Sequence, residues 1–434
     1  MHVVVIGNGV TGITAAITIR KLSATHQITV ISSESEHFFS RTALMYVYMG
    51  HMQYQHIKPY EDWFWPENNI NLQQGQVTYI DVEQKQVLLD DQATLNFDKL
   101  LIATGSKPNI LNLPGKELNG VQGFYSLNDL QTLEANSKDV NRAVLVGGGL
   151  IGIELAEMLY TRCIPVSFLV REEHYWGSVL PKEESQMIQS HILAHGIDLH
   201  LKAEVEEILG DASGKVSGVR TKSGEVIPCQ LVGLGIGVFP NIDLIRNCGI
   251  KTNRGILVNE YLETNIPDIF AAGDCAELEK PDQQKVVEQL WYTGRMQGET
   301  VAYSICGTRK KYERGIWFNS AKFFDIEYQT YGKVSARLGP EEGTLLWQHP
   351  NRKKSIRINY LLHTQEVIGF NLLGIRYRHE VCERWIREKK TLDFVLKHLK
   401  EANFDPEFYR RYEKEVLRKF NEQFTATFAL KDKG

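Results

Sequence analysis

The chain has 434 residues, of which 43% are hydrophobic and 24% are charged, and its formal net charge is −4. This length and composition allow a large buried core and predict a soluble globular protein of two or three domains. No segment approaches the roughly 18 consecutive apolar residues of a membrane-spanning helix, and the first predicted strand begins at His2, which leaves no room for a signal peptide. We therefore expect a cytoplasmic protein without a membrane span.

The first predicted elements are a strand at 2–6, a glycine-rich turn at 7–12 with the sequence GNGVTG, a helix at 13–22 and a strand at 28–31. In such a turn the first glycine permits the tight bend, the second lets a pyrophosphate approach the backbone, and the third lets helix and strand pack closely. Glu34 follows the second strand and is the candidate acid for the ribose hydroxyls, two residues beyond the ordinary position at Ser32. The predicted dinucleotide contacts of this turn are Gly7, Gly9, Val10, Thr11 and Gly12.

The same order of elements returns at 143–170, with a strand at 143–146, the turn GGGLIG at 147–152, a helix at 153–162 and a strand at 165–170. Here the acid is missing, because Val170 ends the strand and Arg171 follows it. An arginine at this place can pair with a 2′-phosphate, which favours NADPH over NADH without excluding NADH. The predicted nucleotide contacts of the second turn are Gly147, Gly149, Leu150, Ile151 and Gly152.

Cysteine and histidine patterns do not indicate a metal site or a disulfide scaffold. The six cysteines are widely spaced, with no Cys-x-x-Cys pair and none before Cys163. His191 and His195 lie one helical turn apart, which is metal-ligand spacing, but no third Cys, Asp or His follows the same pattern. A solvated helix face is favoured for both histidines, and no metal is expected.

Four further motifs accompany the two turns. FDKLLIATGSKPN at 97–109 lies between the turns, and LVGLGIGVFPN at 231–241, IPDIFAAGDCAEL at 266–278 and EQLWYTGRMQG at 288–298 lie after the second turn. Together with the two turns, they resemble the FAD-dependent pyridine nucleotide disulfide oxidoreductase superfamily in its two-dinucleotide-binding-domain form. The resemblance implies FAD in the first turn, NADPH or NADH in the second, and Asp274 hydrogen-bonded to the flavin ribityl chain. The further cofactor-binding residues that it implies are Arg41, Val77, Ala103, Thr104, Gly105, Gly235, Gly237, Gly273 and Asp274.

The fold implied by the resemblance is α/β, with two Rossmann-like dinucleotide-binding domains and an α+β C-terminal domain that carries a helical tail. The FAD-binding domain is expected at 1–111 and 243–313, the NAD(P)H-binding domain at 112–242 and the C-terminal domain at 314–434. The apolar faces of the C-terminal helices must pack against other apolar residues, either of this chain or of a second subunit. A homodimer is therefore one of the alternatives.

The resemblance also implies the reaction, a hydride transfer from NAD(P)H to flavin N5 across an inter-domain cleft, followed by electron transfer to an acceptor. Glu154 corresponds to a family glutamate near the flavin and the nicotinamide. Aligning Arg41 with the family's flavin-contacting arginine puts Tyr46 where the lysine partner of that glutamate would fall, so Glu154 lacks its usual partner. We list Glu154 and Tyr46 as the candidate catalytic residues, with a solvated helix residue as the alternative for Glu154.

The segment at 33–50 contains no cysteine. Branches of the superfamily that use a redox cysteine or a cysteine pair here are therefore not matched, and the pattern is that of ferredoxin, rubredoxin and monodehydroascorbate reductases and of apoptosis-inducing-factor-like proteins. Cys275 beside the ribityl site is expected to be a packed residue.

The charge distribution bears on the acceptor. Residues 1–308 carry 23 Lys and Arg against 36 Asp and Glu, whereas residues 309–434 carry 26 against 17. A basic C-terminal part can steer a small acidic redox protein such as a ferredoxin or rubredoxin, although solvated helix faces also carry such charge. Reduction of a quinone, a radical or dioxygen, and a flavin-bound redox sensor or scaffold, are the alternatives. Nucleic acid is not an expected partner, because the basic and aromatic residues follow helical spacing and no nucleic-acid motif accompanies them.

Overall fold

The computed structural model describes residues 1–279, 285–404, 410–424 and 429. By its internal contacts the chain divides into two compact units. The first unit comprises Met1–Leu111, Gln122–Lys138 and Ile236–Arg314, and the second unit comprises Asn112–Val121, Asp139–Gly235 and Gly315–Gly434. Within the described residues, no helix is long and apolar enough to cross a membrane.

The described strands are, in chain order, β1 (His2–Ile6), β2 (Gln27–Ser32), β3 (Ile70–Gln74), β4 (Val77–Asp81), β5 (Gln86–Leu89), β6 (Thr94–Asn96), β7 (Lys99–Ile102), β8 (Ser106–Pro108), β9 (Val121–Gln122), β10 (Ala143–Val146), β11 (Val166–Val170), β12 (Asp198–Leu201), β13 (Val205–Gly210), β14 (Val216–Thr221), β15 (Val226–Pro228), β16 (Leu231–Leu234), β17 (Val238–Pro240), β18 (Ile256–Val258), β19 (Ile269–Ala271), β20 (Ala276–Glu279), β21 (Lys285–Val287), β22 (Phe318–Phe323), β23 (Ile326–Gly332), β24 (Glu342–Gln348), β25 (Ser355–Leu361) and β26 (Val367–Leu373).

The described α-helices are α1 (Val10–Leu22), α2 (Leu44–Tyr48), α3 (Phe64–Glu67), α4 (Leu127–Asn136), α5 (Leu150–Thr161), α6 (Lys182–Ala194), α7 (Trp291–Ile305), α8 (His379–Arg387), α9 (Leu392–Ala402) and α10 (Glu413–Phe424). Short 3-10 helices lie at Arg41–Ala43, Tyr54–Ile57 and Asp243–Ile245.

The first unit is built on a five-stranded parallel sheet in the order β19–β7–β1–β2–β3. Its central strand β1 is a continuous apolar run whose Val3, Val4 and Val5 are fully buried, as expected for a parallel strand covered on both faces. Helices α1 and α7 pack closely, because Gly298 has no side chain and a Cβ there would lie 2.5 Å from the carbonyl oxygen of Thr11. Smaller sheets in this unit are β4–β5–β6, β8–β17 and β18–β20–β21.

The second unit contains another five-stranded sheet, in the order β12–β11–β10–β16–β9, in which β10 is parallel to β11 and β16 and β11 is parallel to β12. A three-stranded antiparallel sheet, β13–β14–β15, adds to it. The two parallel sheets, each with a glycine turn after its central strand, confirm the predicted pair of Rossmann-like folds.

The C-terminal part of the second unit is an antiparallel sheet in the order β22–β23–β26–β25–β24, with helices α8, α9 and α10. This agrees with the predicted α+β domain and its helical tail. The apolar residues of these helices pack on the sheet, since Leu396, Leu399, Val416 and Phe420 are buried in one core cluster with Phe370 and other sheet residues. These helix faces are therefore covered within this chain.

A buried ion pair joins α6 to the antiparallel sheet. The Arg357 side chain, which is 4% exposed, donates from Nε to both carboxylate oxygens of the fully buried Glu184 at 2.8 Å. It also donates from Nη2 to Glu183 at 2.7 Å and from Nη1 to Thr344 at 3.1 Å. Since both charges are desolvated, each needs the other, and removal of one would leave the partner uncompensated.

Candidate functional site

In the first glycine turn, backbone atoms leave no room for a side chain at two of the three glycines, Gly7 and Gly12. Gly7 has a φ of +111°, which favours glycine, and its N–H donates to the carbonyl of Ile31 at 2.8 Å. A Cβ on Gly7 would lie 2.2 Å from the carbonyl oxygen of Ala103, and a Cβ on Gly12 would lie 2.0 Å from that of Gly7. These positions hold the turn, the strand β7 and the helix α1 together.

Gly9, in the middle of this turn, faces open space, since a Cβ there would meet no atom within 4 Å. Helix α1 starts at Val10 directly after it, and no side chain caps the helix N-terminus. Free backbone N–H groups beside an open glycine fit a pyrophosphate, which needs close approach and hydrogen-bond donors. The turn therefore has the shape that a bound dinucleotide such as FAD requires.

The predicted second flavin motif lies against the first turn. Gly273 has a φ of +81°, and a Cβ there would lie 2.4 Å from Oγ1 of Thr11. Its N–H donates to the side-chain oxygen of Gln297 on α7 at 2.7 Å. The next residue, Asp274, accepts a hydrogen bond from the Ser106 hydroxyl at 2.9 Å, and burial raises the pKa of its carboxyl group. The structure thus brings Thr11, Gly273 and Asp274 to one place.

Parts of the motifs at 97–109 and 231–241 pair with each other within the first unit. Strand β8 is antiparallel to β17. The Thr104 hydroxyl donates to the carbonyl of Asn241 at 2.7 Å, and the Asn109 N–H donates to the carbonyl of Gly237 at 3.0 Å. Gly105 and Gly237 have φ values of +70° and +92°, so both bends need glycine.

Glu34 and Arg41 form a bidentate ion pair, with Nη1 to Oε1 at 3.0 Å and Nη2 to Oε2 at 2.5 Å. Glu34 also accepts from the backbone N–H of Leu127 at 2.9 Å, and the Arg41 guanidinium lies 4.6 Å from the ring centroid of Tyr125. A carboxylate offers about four acceptor positions, and three are used here. A ribose hydroxyl would therefore find one remaining acceptor position on Glu34.

Tyr46, Val77 and Cys275 also belong to the first unit. Tyr46 lies on α2, and its ring is stacked on that of His51 with centroids 6.3 Å apart. Val77 is buried at the start of β4, opposite Leu89 of β5. Cys275 is fully buried, and burial raises the pKa of its thiol. A buried, protonated thiol is a poor nucleophile, so Cys275 has the character of a packed residue.

The second glycine turn repeats the geometry of the first. Gly147 has a φ of +112°, and a Cβ on Gly152 would lie 2.1 Å from the carbonyl oxygen of Gly147. Gly235 at the end of β16 packs against the same helix start, because a Cβ there would lie 2.7 Å from the backbone of Gly152. Gly149 is open, with the nearest atom to its missing Cβ 3.9 Å away. Helix α5 begins directly after it with Leu150 and Ile151.

Arg171 directly follows β11, and its side chain is 78% exposed. Its Nε lies 3.6 Å from Oε1 of Glu172, which makes a largely solvent-exposed ion pair. Such a pair contributes little to stability. The guanidinium can therefore turn to a phosphate group at small cost.

Glu154 lies one turn into α5, partly buried. Burial raises the pKa of its carboxyl group to about 7, and repulsion from Glu157 adds to this. Glu157 itself is paired with Lys322 at 2.7 Å. A neighbour missed by the sequence analysis is Tyr175, which is fully buried and whose hydroxyl donates to the carbonyl of Gly149 at 3.4 Å.

Tyr175 belongs to the aromatic pair Tyr175 and Trp176, which follows β11 in the sequence. The rings of both residues contact Phe323 edge-on, at centroid distances of 6.2 and 5.7 Å. This aromatic pair in a loop after a Rossmann-type strand is the sequence signal from which a buried residue beside the second turn could have been predicted. Tyr175 links the second turn to β22 within the second unit.

Comparison with known proteins gives the family. A profile of the family described as "Pyridine nucleotide-disulphide oxidoreductase" matches residues 1–298. The chain belongs to this family. It is 33% identical over 335 residues to the nitrite reductase [NAD(P)H] of Bacillus subtilis (strain 168), covering 76% of this chain and 41% of that protein. The chain thus spans about two fifths of the length of this relative.

A second family member, the rubredoxin-NAD(+) reductase of Pseudomonas putida, is 28% identical over 311 residues, which are 71% of this chain and 80% of that protein. Among solved structures, an NAD-dependent persulfide reductase from A. fulgidus matches with a TM-score of 0.85 at 23% identity, over 98% of this chain and 84% of that chain. This likeness confirms the predicted fold class. Members of the family with this fold hold FAD and NAD(P)H, and the two open glycine turns fit those groups.

Proposed function

We propose that this protein is an FAD-dependent NAD(P)H oxidoreductase that delivers electrons from the flavin directly to an acceptor, without a thiol relay. The observation that carries the proposal is the pair of glycine turns. In the first turn backbone atoms leave no room for a Cβ at Gly7 or Gly12, and Gly9 faces open space. In the second turn Gly152 is closed off by backbone in the same way, and the nearest atom to a Cβ on Gly149 is 3.9 Å away. One chain with two such sites suits an enzyme that couples two dinucleotides.

Within this proposal, the first turn and the N-terminus of α1 bind the pyrophosphate of FAD, and Asp274 accepts a hydrogen bond from the ribityl chain. The Arg41 guanidinium, already oriented by Glu34, contributes positive charge beside that site. When both are bound, NAD(P)H supplies a hydride and FAD passes the electrons on. The chain's own part is to bind, orient and shield these groups.

The second turn binds NAD(P)H, with Arg171 selecting the 2′-phosphate. Glu154 stands one turn along the helix that starts at this turn. With a pKa raised to about 7, its carboxyl group changes charge in the physiological range. We propose that Glu154 thereby adjusts the electrostatics beside the nicotinamide, and that Tyr46, at the sequence position of the family's lysine, contributes to the flavin site of the first unit.

A small acidic redox protein is the proposed acceptor. The absence of cysteine from 33–50 and the full burial of Cys275 support direct transfer from the flavin. The positive charge of residues 309–434 supports an acidic partner, and the name of the rubredoxin-reducing relative supports a small redox protein. The domain arrangement that goes with this function, with FAD at 1–111 and 243–313, stays a prediction.

Two matched substitutions test the assignment of the turns. Gly9→Val and Gly149→Val both add a Cβ that clashes with no atom, at ordinary φ values of −69° and −88°, so both variants are expected to fold. Gly9→Val should lose flavin and its visible absorption. Gly149→Val should keep flavin but lose reduction by NAD(P)H. Loss of flavin in Gly149→Val together with its retention in Gly9→Val would contradict the assignment.

The acceptor is tested by ionic strength. Attraction between exposed charges is screened by salt over about 10 Å at 0.1 M, so the rate of reduction of an acidic ferredoxin or rubredoxin should fall as salt is added. Reduction of a small uncharged quinone, whose approach salt does not screen, serves as the control for the flavin half-reaction. A protein-acceptor rate that does not change with salt would count against a docking site formed by basic residues.

A further inference from the structure

Three side chains with metal-binding atoms meet within the second unit. His191 lies in the last turn of α6, His195 caps the C-terminal end of that helix, and Asp325 lies on the two-residue turn between β22 and β23. One ligand atom from each residue lies within 4.8 Å of the others. A solvated face was the prediction for the two histidines, because no third Cys, Asp or His follows their pattern, and Asp325 lies 130 positions beyond His195.

His191 is not solvated. It is 4% exposed, and its Nε2 atom is buried without a hydrogen-bond partner of acceptable geometry among the described residues. The Oδ1 atom of Asp325 lies 2.5 Å from this nitrogen, and the Nε2 atom of His195 lies 3.8 Å from the same oxygen. A buried ring nitrogen that faces a carboxylate and a second imidazole is an arrangement that can hold a cation.

The second imidazole is already oriented for metal binding. Nδ1 of His195 lies 2.9 Å from the carbonyl oxygen of His191. Because a carbonyl oxygen only accepts, Nδ1 is the donor of this hydrogen bond, and Nε2 is the ring nitrogen that faces Asp325 and is available as a metal ligand in the neutral imidazole. The His195 ring also stacks on Phe324, with centroids 4.2 Å apart and planes 19° apart.

The hairpin turn that carries Asp325 is tight. Phe324 has a φ of +54°, an uncommon conformation for an aromatic residue, and its side chain is buried. The packed Phe324 ring therefore fixes both the carboxylate that follows it and the imidazole stacked on it. The site also lies at the C-terminal end of α6, where the helix dipole favours positive charge.

We propose that His191, His195 and Asp325 bind a divalent transition-metal ion, with Zn²⁺ as the representative, and that water occupies the remaining coordination position. Two imidazoles and one carboxylate are ligands that Zn²⁺ takes at about 2.0–2.2 Å. Tetrahedral bonds of that length separate ligand atoms by about 3.4 Å. The observed separations of 2.5 and 3.8 Å from Oδ1 bracket this value, and all three ligand atoms lie within 4.8 Å of one another, so side-chain rotations can bring them to a common ion.

One charged group opposes the cation. Lys353 Nζ lies 3.3 Å from the other carboxylate oxygen, Oδ2 of Asp325. The Lys353 side chain is 52% exposed and can move into solvent. The Lys353 ammonium group repels a bound cation. Removing this charge should therefore strengthen metal binding, whereas removing a ligand should weaken it.

Zn²⁺ titration of the chelator-treated, untagged full-length flavoprotein, in competition with a chromogenic chelator, tests the proposal. We expect one Zn²⁺ per chain. His195→Ala, His195→Gln and Asp325→Asn should each weaken the affinity by at least about tenfold, and Lys353→Gln should strengthen it a few-fold. His363→Ala, which removes an exposed histidine of the same unit, should change nothing.

Two readouts separate metal ligation from a purely structural role. Zn²⁺ should raise the thermal unfolding midpoint of the wild type and of His363→Ala but not that of folded His195→Gln. Zinc X-ray absorption should show only nitrogen and oxygen neighbours, at about 2.0–2.2 Å. Sulfur neighbours, absence of stoichiometric binding, or equal affinity in Asp325→Asn and His363→Ala would overturn the proposal.

Discussion

Replacing Glu154 with glutamine should change how the stability of the protein depends on pH. The pKa of Glu154 is raised from 4.5 to about 7 in the folded protein, mainly by burial. A folded-state pKa above the unfolded one means that the folded chain holds this proton more tightly. The protonated carboxyl group is tolerated in its buried position, so the contribution of Glu154 to the free energy of unfolding is fully present below pH 4.5. This contribution is lost as the pH rises through about 7, because the carboxyl group then ionises in the folded protein.

A shift of this size corresponds to a loss on the order of 3 kcal/mol between the two limits. Glu154→Gln cannot ionise, so it should avoid that loss. Its unfolding free energy relative to wild type should therefore rise across this interval, when the cofactor-free proteins are compared by urea unfolding from pH 5 to pH 8.5. Glu206→Gln, which removes an exposed carboxylate of the same unit, should lack this trend. A constant difference between Glu154→Gln and wild type would refute the burial argument.

Three further predictions concern the nucleotide, the thiol and the buried ion pair. Arg171→Gln should raise KM for NADPH about tenfold and leave KM for NADH nearly unchanged in steady-state assays, because one charged hydrogen bond to the 2′-phosphate is lost; equal effects on both would contradict that contact. Cys275→Ala should keep acceptor reduction within about twofold in the same assays, since a buried thiol carries no electrons here, and loss of activity with flavin retained would disprove this. Arg357→Leu should lower the unfolding free energy by about 3 kcal/mol, because Glu184 is left buried without its partner; a change below about 1 kcal/mol in urea unfolding would contradict it.

Much of the fold could be predicted because it rests on local patterns. The apolar runs of β1 and β10, each followed by a glycine turn and a helix, read directly as parallel strands with close helix packing. Close packing explains the glycines physically, since a Cβ at Gly12 or Gly152 would collide with backbone.

What could not be predicted depends on contacts between distant parts of the chain. Nothing in the sequence places Leu127 beside Glu34, so the hydrogen bond from the Leu127 backbone N–H to the Glu34 carboxylate could not be predicted. Asp325 reaches His191 only because a hairpin packs on α6. The pKa of Glu154 follows from burial, which one helical residue and its spacing do not reveal.

The central claim is that one chain couples two dinucleotides. Its most direct test is anaerobic titration of the purified, FAD-bound protein with NADPH and with NADH, following the oxidised flavin band. We expect stoichiometric bleaching, faster with NADPH than with NADH, and none in Gly149→Val. A protein that cannot be reconstituted with FAD, or a bound flavin that neither nucleotide reduces, would contradict it.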